Sequence, residues 1–339
     1  MDGFEIIKKL SPAFGVSGEE RYAAEAALSL LSPYGTGKFD ERTGNAFFRR
    51  KGFDKSKKTI LLDAHTDEIG FVITYITDDG FLKAAPVGGI DRRMLLASEV
   101  TVFGREKVKG VITSTPPHLE KEHGNAPETA DIFIDTGMTK EQAEKLITLG
   151  DKAAVINEPV RLLGNRISGK ALDDRCGVMT LIRCIEMLDG YDLSVNVVLL
   201  LSSREEIGEI GAKVGAFDID ADWAIAVDVS FADTIGENKE ECGELGKGAM
   251  IGISPSLSRE MSQALISLAK EKGIPYQYEV MGGKTGTNAD MIAVSKGGIK
   301  TVTVSVPERY MHTPAEVIDL NDTENTAVLI SEYIKGLEK

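Results

Sequence analysis

Cysteine is scarce in this chain, and the cysteines present follow no pattern that forms disulfides or binds metal. The three residues, Cys176, Cys184 and Cys242, are odd in number and lack Cys-x-x-Cys spacing. This argues against a disulfide framework and against a zinc site built from sulfur, since both need paired or closely spaced cysteines. We therefore expect reduced thiols in the protein core.

Basic residues are outnumbered, because 39 lysines and arginines face 53 aspartates and glutamates, for a formal net charge of -14. An acidic protein of this kind is poorly suited to nucleic acid or to an anionic membrane surface. Long apolar runs are missing too, and Met1 to Glu5 lacks the basic and apolar pattern of a signal peptide. We therefore expect a cytoplasmic protein with no nucleic-acid or membrane partner.

The chain of 339 residues is too long for one typical core, so we expect two domains. Its first and last parts, residues 1–69 and 166–339, alternate apolar strands with helices and indicate one discontinuous α/β domain. Residues 70–165 instead carry short strands broken by glycine turns, which indicate an inserted barrel or sandwich. One helix within this insertion has a capping box formed by Thr139 and Gln142.

An apolar strand at residues 195–201 leads directly to two adjacent glutamates, Glu205 and Glu206. In isolation, such a pair is most simply interpreted as part of a solvated loop. At the end of a buried strand, however, two neighbouring carboxylates repel each other and lose hydration unless a cation or a shared proton compensates. This pair is therefore a candidate metal site at the edge where open α/β sheets bind ligands.

Three further apolar runs lead to potential metal ligands, namely His65, Asp228 and His312. Because the carboxyl ends of parallel strands share one edge of a sheet, we expect these side chains near Glu206. Asp173 stands at the start of a predicted helix, where an acidic side chain can serve as a cap as well as a ligand.

Other polar motifs have structural interpretations. Ser17 and Glu20 match a capping box for the helix that follows them. His118 and His123 have no apolar strand behind them, and we interpret both as exposed loop residues. The glycine-rich segment at residues 282–288 lacks the spacing of a phosphate-binding loop, so we predict a mobile loop there.

The candidate residues have the chemistry of a site for two ions. Zinc-like ions bind neutral imidazole nitrogen and carboxylate oxygen, and two neighbouring ions need a carboxylate that contacts both. One glutamate of the pair then stays free to take a proton from a water whose pKa the metal has lowered. We expect Asp67, two residues after His65, to accept the other imidazole N–H. The candidate ligands are His65, Asp173, Glu206, Asp228 and His312.

Five motifs, at residues 64–70, 171–175, 205–208, 227–229 and 309–314, resemble in order and spacing those of the tetrahedral, glutamyl-aminopeptidase-like metallopeptidases. The resemblance covers essentially the whole chain. It implies a mixed-sheet α/β/α catalytic domain, a small β-barrel-like dimerisation domain inserted into it, and a homo-oligomer in which dimers build a hollow dodecamer. The sequence departs from the family where Thr-Asn-Ala-Asp begins at Thr287, because many members have Thr-Asp-Ala there.

The same resemblance assigns roles to the candidate ligands. It implies two divalent metal ions per chain, with Asp173 bridging them. His65 and Asp228 would bind one ion, and Glu206 and His312 would bind the other. Zinc, cobalt and manganese all accept such mixed nitrogen and oxygen ligands, and we take zinc as the first expectation.

The activity implied by the resemblance is removal of N-terminal residues from short peptides by a metal-bridging hydroxide, with Glu205 as general base. Two alternatives stay open. A glycoside hydrolase is one, since paired carboxylates can cleave glycosides without metal and some family members have been labelled cellulases. A non-catalytic oligomeric scaffold is the other. The histidines at the strand ends favour a metal site over a glycosidase, and an intact set of ligands and base argues against a scaffold.

Overall fold

A computed structural model describes residues 1–116, 118 and 126–337 of the chain. Within these residues lie one large mixed sheet, flanked by helices, and one closed barrel. The helices are α1 (Gly3–Leu10), α2 (Arg21–Leu31), α3 (Lys140–Leu146), α4 (Leu172–Met187), α5 (Ile210–Asp218), α6 (Arg259–Lys272), α7 (Ala289–Ala293) and α8 (Leu320–Lys335).

The strands divide between the two sheets. Those of the large sheet are β1 (Gly35–Phe39), β2 (Ala46–Arg50), β3 (Thr59–His65), β10 (Val160–Arg161), β11 (Arg166–Gly169), β12 (Asn196–Ser202), β13 (Trp223–Phe231), β14 (Ala249–Ile253), β15 (Tyr276–Val280), β16 (Lys300–Arg309) and β17 (Glu316–Asp319). Those of the barrel are β4 (Gly70–Ile76), β5 (Leu82–Val87), β6 (Glu99–Phe103), β7 (Lys107–Ser114), β8 (Ile132–Asp135) and β9 (Lys152–Val155).

The centre of the large sheet consists of β12, β3, β13 and β16, which pair in parallel in that spatial order. Every residue of β3 and of β12 is buried. Burial on both faces explains why these segments are almost continuously apolar in sequence. Because the four strands run in the same direction, their carboxyl ends lie along one edge of the sheet.

Helices cover both faces of this sheet. Along β3, Leu62 faces a core that also contains residues of α1, α2, α4, α6 and α8. The neighbouring Leu61 faces the opposite core, to which α5 and α7 contribute. The alternation follows from the two-residue period of a strand. The three layers confirm the predicted mixed-sheet α/β/α architecture.

The second sheet is a closed barrel with strand order β4-β5-β8-β7-β6-β9. Its interior has an apolar core of its own, which includes Phe71, Leu82 and Ile134. Of the two architectures that the sequence left open, the structure therefore has the barrel. Helix α3 begins after Thr139, and the predicted capping box between Thr139 and Gln142 is confirmed.

Two predictions differ in detail from the structure. Strand β10 lies inside the predicted 70–165 insertion but pairs with β11 of the large sheet, so the barrel strands end earlier, at Val155. Cys176 and Cys184 are buried, whereas Cys242 is only half-buried. Cys242 lies in the loop between β13 and β14.

In the described part of the chain, no helix is both long and apolar enough to cross a membrane. His118 is exposed, as predicted. His123 lies outside the described residues.

The predicted capping box between Ser17 and Glu20 is wrong. Helix α2 begins at Arg21 with Glu20 as its N-cap, and no side chain caps it. The Ser17 hydroxyl donates instead to the Asp67 carboxylate at 2.6 Å, and Glu20 accepts from the backbone N–H of Arg204 at 3.2 Å. The local sequence has a capping pattern, but both side chains form hydrogen bonds with residues that are distant in sequence.

Candidate metal centre

The parallel strands bring the predicted ligands to one edge of the large sheet. His65 is the last residue of β3, and Glu206 follows β12. Asp228 lies within β13, which continues to Phe231, although the sequence suggested that this strand ends before the aspartate. His312 follows the end of β16. Asp173 enters the same space from the start of α4.

The five side chains form two groups that share Asp173. In the first group, His65 Nε2 lies 2.9 Å from Asp173 Oδ1 and 3.9 Å from Asp228 Oδ1. In the second, His312 Nε2 lies 3.3 Å from Asp173 Oδ2 and 3.3 Å from Glu206 Oε2. Within each group, one ligand atom per residue lies within 4.8 Å of the others. The two oxygens of one carboxylate thus face two different sets of metal-binding atoms.

Burial dominates the electrostatics of the carboxylates around Asp173. Loss of hydration, together with the charge of Asp173, raises the pKa of Glu206 well above its usual value. Loss of hydration and the nearby Asp174 do the same to the pKa of Asp228. Although burial also opposes ionisation of Asp173, hydrogen bonds from His312 and His65 lower the pKa of this carboxyl. Cations among these oxygens would offset the cost of ionising them, so the residues present fit divalent metal.

Glu205 lies beside both groups but belongs to neither within the described residues. Its Oε2 is 4.0 Å from His65 Nε2, and the side chain is 14% exposed. Burial raises the pKa of Glu205 to about 7. The geometry therefore leaves this glutamate available for proton transfer.

Asp67 makes different contacts from those expected. His65 Nδ1 lies 3.1 Å from the backbone carbonyl of Asp67 and 3.4 Å from its carboxylate Oδ1, so the carbonyl is the closer acceptor. The carboxylate accepts hydrogen bonds from the backbone N–H groups of Glu205 and Glu206, at 3.0 and 3.2 Å. Asp67 thus connects the histidine to the segment that carries both glutamates.

Two supporting carboxylates were missed from the sequence. Glu316 Oε2 accepts from the backbone N–H groups of Leu172 and Asp173, at 2.6 and 3.2 Å. Asp174 accepts from the backbone N–H of His65 at 3.1 Å, and it also caps α4. Glu316 follows the His312 motif in sequence, but nothing in the pattern distinguished it from a surface residue.

The segment that departs from the family pattern packs beside β3 and β12. Asn288 Nδ2 donates to Asp63 Oδ2 and to Ser202 Oγ, both at 2.8 Å. Burial raises the pKa of Asp63 to about 7. The amide donates to one oxygen of this buried carboxyl, whereas a second carboxylate at position 288 would need a shared proton. Asp290 accepts from the backbone N–H of Thr285 at 2.9 Å and so stabilises the preceding loop.

The chain matches a known peptidase family over most of its length. The sequence profile of the family described as M42 glutamyl aminopeptidase matches residues 44–329. The chain belongs to the M42 glutamyl aminopeptidase family. M42 aminopeptidases depend on metal, so the chain is a metal-dependent aminopeptidase, and therefore a hydrolase, with candidate metal-binding residues in place. This outcome confirms the resemblance found in the sequence and favours the peptidase over the glycosidase and scaffold alternatives.

Individual relatives match over nearly their full lengths. A lysyl aminopeptidase from Pyrococcus furiosus is 30% identical, over 100% of this chain and 98% of its own. The structure of an aminopeptidase from the archaeon Desulfurococcus kamchatkensis is 38% identical, with a TM-score of 0.91 over 99% of this chain and 95% of that one. The TET1 peptidase of Pyrococcus horikoshii is 33% identical, with a TM-score of 0.86 over 99% and 100% of the two chains.

Metal removal should lower the melting temperature of the M42 chain by an amount that grows between pH 4.5 and 7. Burial raises the pKa of Glu205 from 4.5 to about 7, and those of Glu206 and Asp228 rise as well. Without metal, the folded chain then binds more protons than the unfolded chain, so its stability falls as pH rises through this window. Bound cations favour the ionised carboxylates and remove this loss.

Thermal unfolding of chelated and metal-reloaded protein across this pH range, at one protein concentration, measures the difference. The exposed Asp220→Asn variant is the control and should show the same pH dependence as the unmodified chain. A difference in melting temperature that does not change with pH would contradict this account of the carboxylates.

Proposed function

We propose that the chain binds two divalent ions and uses them to remove single residues from the amino termini of short peptides. The observation that carries this proposal is the position of Asp173, whose Oδ1 lies near His65 and whose Oδ2 lies near His312. His65 and Asp228 would hold one ion, Glu206 and His312 the other, and Asp173 both. Zinc is our first choice, and cobalt and manganese suit the same nitrogen and oxygen donors.

We assign the role of general base to Glu205. Its pKa near 7 leaves a substantial ionised fraction at neutral pH, which is the condition for efficient proton transfer. When bound, the ions would polarise the scissile carbonyl and lower the pKa of the attacking water. Glu205 would accept the proton of that water and deliver it to the leaving amine. Asp67 would hold Glu205 and the neighbouring ligand Glu206 in place through their backbone N–H groups.

The proposed substrate is a peptide with a free α-amino group. Family membership supports this class of substrate. The names of the relatives include both lysyl and glutamyl aminopeptidases, so we assign no preferred N-terminal residue.

We propose the cytoplasm as the location of the protein. The described cysteines form no disulfide, and two of them, Cys176 and Cys184, are buried as free thiols. Reduced thiols of this kind suit a reducing compartment.

Exchanging each adjacent glutamate for glutamine should separate base from ligand. Glu205→Gln should retain the metal but lower kcat on the order of 10²- to 10⁴-fold, because the proton acceptor is lost. Glu206→Gln should lose metal, since an amide is a weaker ligand for a zinc-like ion than a carboxylate. Metal analysis and peptide hydrolysis on the same samples measure both effects.

The exposed Glu260→Gln variant is the matched control, and both its metal content and its turnover should equal those of the unmodified chain. The reverse result, with metal lost in Glu205→Gln and kept in Glu206→Gln, would exchange the two roles.

We further propose that residues 1–69 and 166–339 form the catalytic domain, whose sheet also includes β10, and that the rest of the inserted residues 70–165 are a dimerisation domain. The closed barrel and its separate core support this division. The TET1 peptidase of Pyrococcus horikoshii can assemble into a tetrahedron or a large octahedral shell, and a 34% identical PhTET1 structure contains a dodecamer. We propose a dodecamer built from dimers for this chain.

Light scattering at dilute concentration should give a mass about twelve times that of the 36.6 kDa chain. Such an assembly would enclose the metal centres and limit entry to short peptides. A stable mass near one chain, with full peptidase activity, would refute both the assembly and the size limit. The barrel would then be a lid on a monomer.

A further inference from the structure

Three consecutive backbone N–H groups beside the metal centre all donate to buried carboxylates. Arg204 N–H donates to Glu20 Oε1 at 3.2 Å. Glu205 N–H donates to Asp67 Oδ1 at 3.0 Å, and Glu206 N–H donates to Asp67 Oδ2 at 3.2 Å. Two carboxylates thus hold the backbone of the segment that carries the proposed base and the adjacent proposed ligand.

The turn before α2 orients both of these carboxylates. The Ser17 hydroxyl donates to Asp67 Oδ2 at 2.6 Å, and Gly18 N–H donates to Glu20 Oε1 at 2.6 Å. Ser17, Glu20 and Asp67 are all buried. Because water does not compete at these positions, the direction of each hydrogen bond is well defined.

The carbonyl groups of this segment accept within the loop, Arg204 from Ile210 N–H at 3.1 Å and Glu205 from Gly208 N–H at 2.9 Å, whereas among the described residues its N–H groups are bound only by the two carboxylates. Arg204 has a φ of 55°, a left-handed conformation that non-glycine residues adopt only when the surroundings compensate for it. It follows the end of β12, so the strand's hydrogen bonds do not hold it. The direction in which Glu205 points toward His65 therefore depends on the contacts made by the backbone from Arg204 to Glu206.

We propose that Ser17 and Glu20 are positioning residues that aim Glu205 at the metal centre, Ser17 through Asp67 and Glu20 through the backbone of Arg204. The proposal rests on the proposed function of Glu205. Glu20 is the N-cap residue of α2, but its side chain makes no capping hydrogen bond, so helix capping does not explain these polar side chains. They touch no metal ligand side chain, and their effect on turnover is indirect.

The nature of each contact predicts which substitutions the site tolerates. Ser17→Ala removes the hydroxyl donor to Asp67, and Glu20→Ala removes the acceptor for two backbone N–H groups. Glu20→Gln keeps an acceptor oxygen of the same shape. Burial raises the pKa of Glu20 to about 7, so this carboxyl is partly neutral at neutral pH and an amide resembles it closely.

In the metal-loaded full chain, Ser17→Ala and Glu20→Ala should each lower kcat about tenfold, because a misplaced base transfers its proton poorly. KM and the number of bound ions should stay close to those of the unmodified chain. Glu20→Gln should remain within about threefold of normal kcat. Steady-state kinetics with metal analysis on each variant give these values.

Ser262→Ala is the matched control, because Ser262 is also buried and also loses one short hydrogen bond, from Oγ to the carbonyl of Gly252 at 2.7 Å. It should cost a similar loss of melting temperature without lowering kcat. If Ser17→Ala lowers kcat no more than Ser262→Ala does, the positioning role is wrong. Loss of metal in proportion to kcat would also overturn it, because the effect would then act through a metal ligand and not through the base.

A double-mutant cycle isolates the route through the base. With Glu205→Gln already present, Ser17→Ala should cause no further loss of kcat, because the group it positions is gone. A further tenfold loss in that background would overturn the proposal. The positioning role of Ser17 and the base role of Glu205 are tested separately. Normal turnover in Glu205→Gln would refute the role of Glu205, whatever the effect of Ser17→Ala.

Discussion

The burial of several carboxylates at one edge of a parallel sheet is the constraint on which the active region depends. Asp173, Glu206 and Asp228 lie close together and are largely removed from water. Burial opposes their ionisation, and the raised pKa values of Glu206 and Asp228 express this cost, whereas hydrogen bonds from the two histidines lower the pKa of Asp173. Although burial opposes protonation of the two histidines, hydrogen bonds to Asp173 raise the pKa of both imidazoles in the metal-free chain, and as metal ligands they would be neutral. Divalent cations would offset the cost of ionising these buried carboxylates, whereas the protein groups alone do not fully compensate it.

The fold sets the positions of these groups, and buried hydrogen bonds set their directions. Parallel pairing of β3, β12, β13 and β16 places the ends of four strands side by side. For three of the ligands, the backbone N–H group donates to a second layer of carboxylates: His65 to Asp174, Asp173 to Glu316 and Glu206 to Asp67. This layer joins parts of the chain that are far apart in sequence. A substitution in the turn before α2 can therefore alter the position of the proposed base, although the two residues are not in contact.

How far the sequence predicts this structure depends on whether a signal is local. Four of the five proposed ligands were predictable because each lies at or near the end of a strongly apolar strand, and such strands are recognisable without knowledge of their neighbours. The fifth, Asp173, lies instead at the start of α4. The roles of Ser17 and Glu20 were not predictable, since their spacing fits a helix cap equally well. Only the folded chain shows that Ser17 donates to Asp67 and that Glu20 accepts from the backbone of Arg204. For Asp67, the residue was predicted but its main contacts were not, because a 3.1 Å carbonyl and a 3.4 Å carboxylate are indistinguishable in sequence.

The most direct test of the central claim is a titration of the metal-free chain with zinc, cobalt or manganese. Release of the N-terminal residue from a peptide is measured as a function of the number of ions bound per chain. The account predicts no release without metal and a maximum at two ions per chain. It also predicts that a peptide with a free α-amino group is cleaved while its N-acetylated counterpart is not. Full activity at one ion or fewer, or equal cleavage of both peptides, would contradict it.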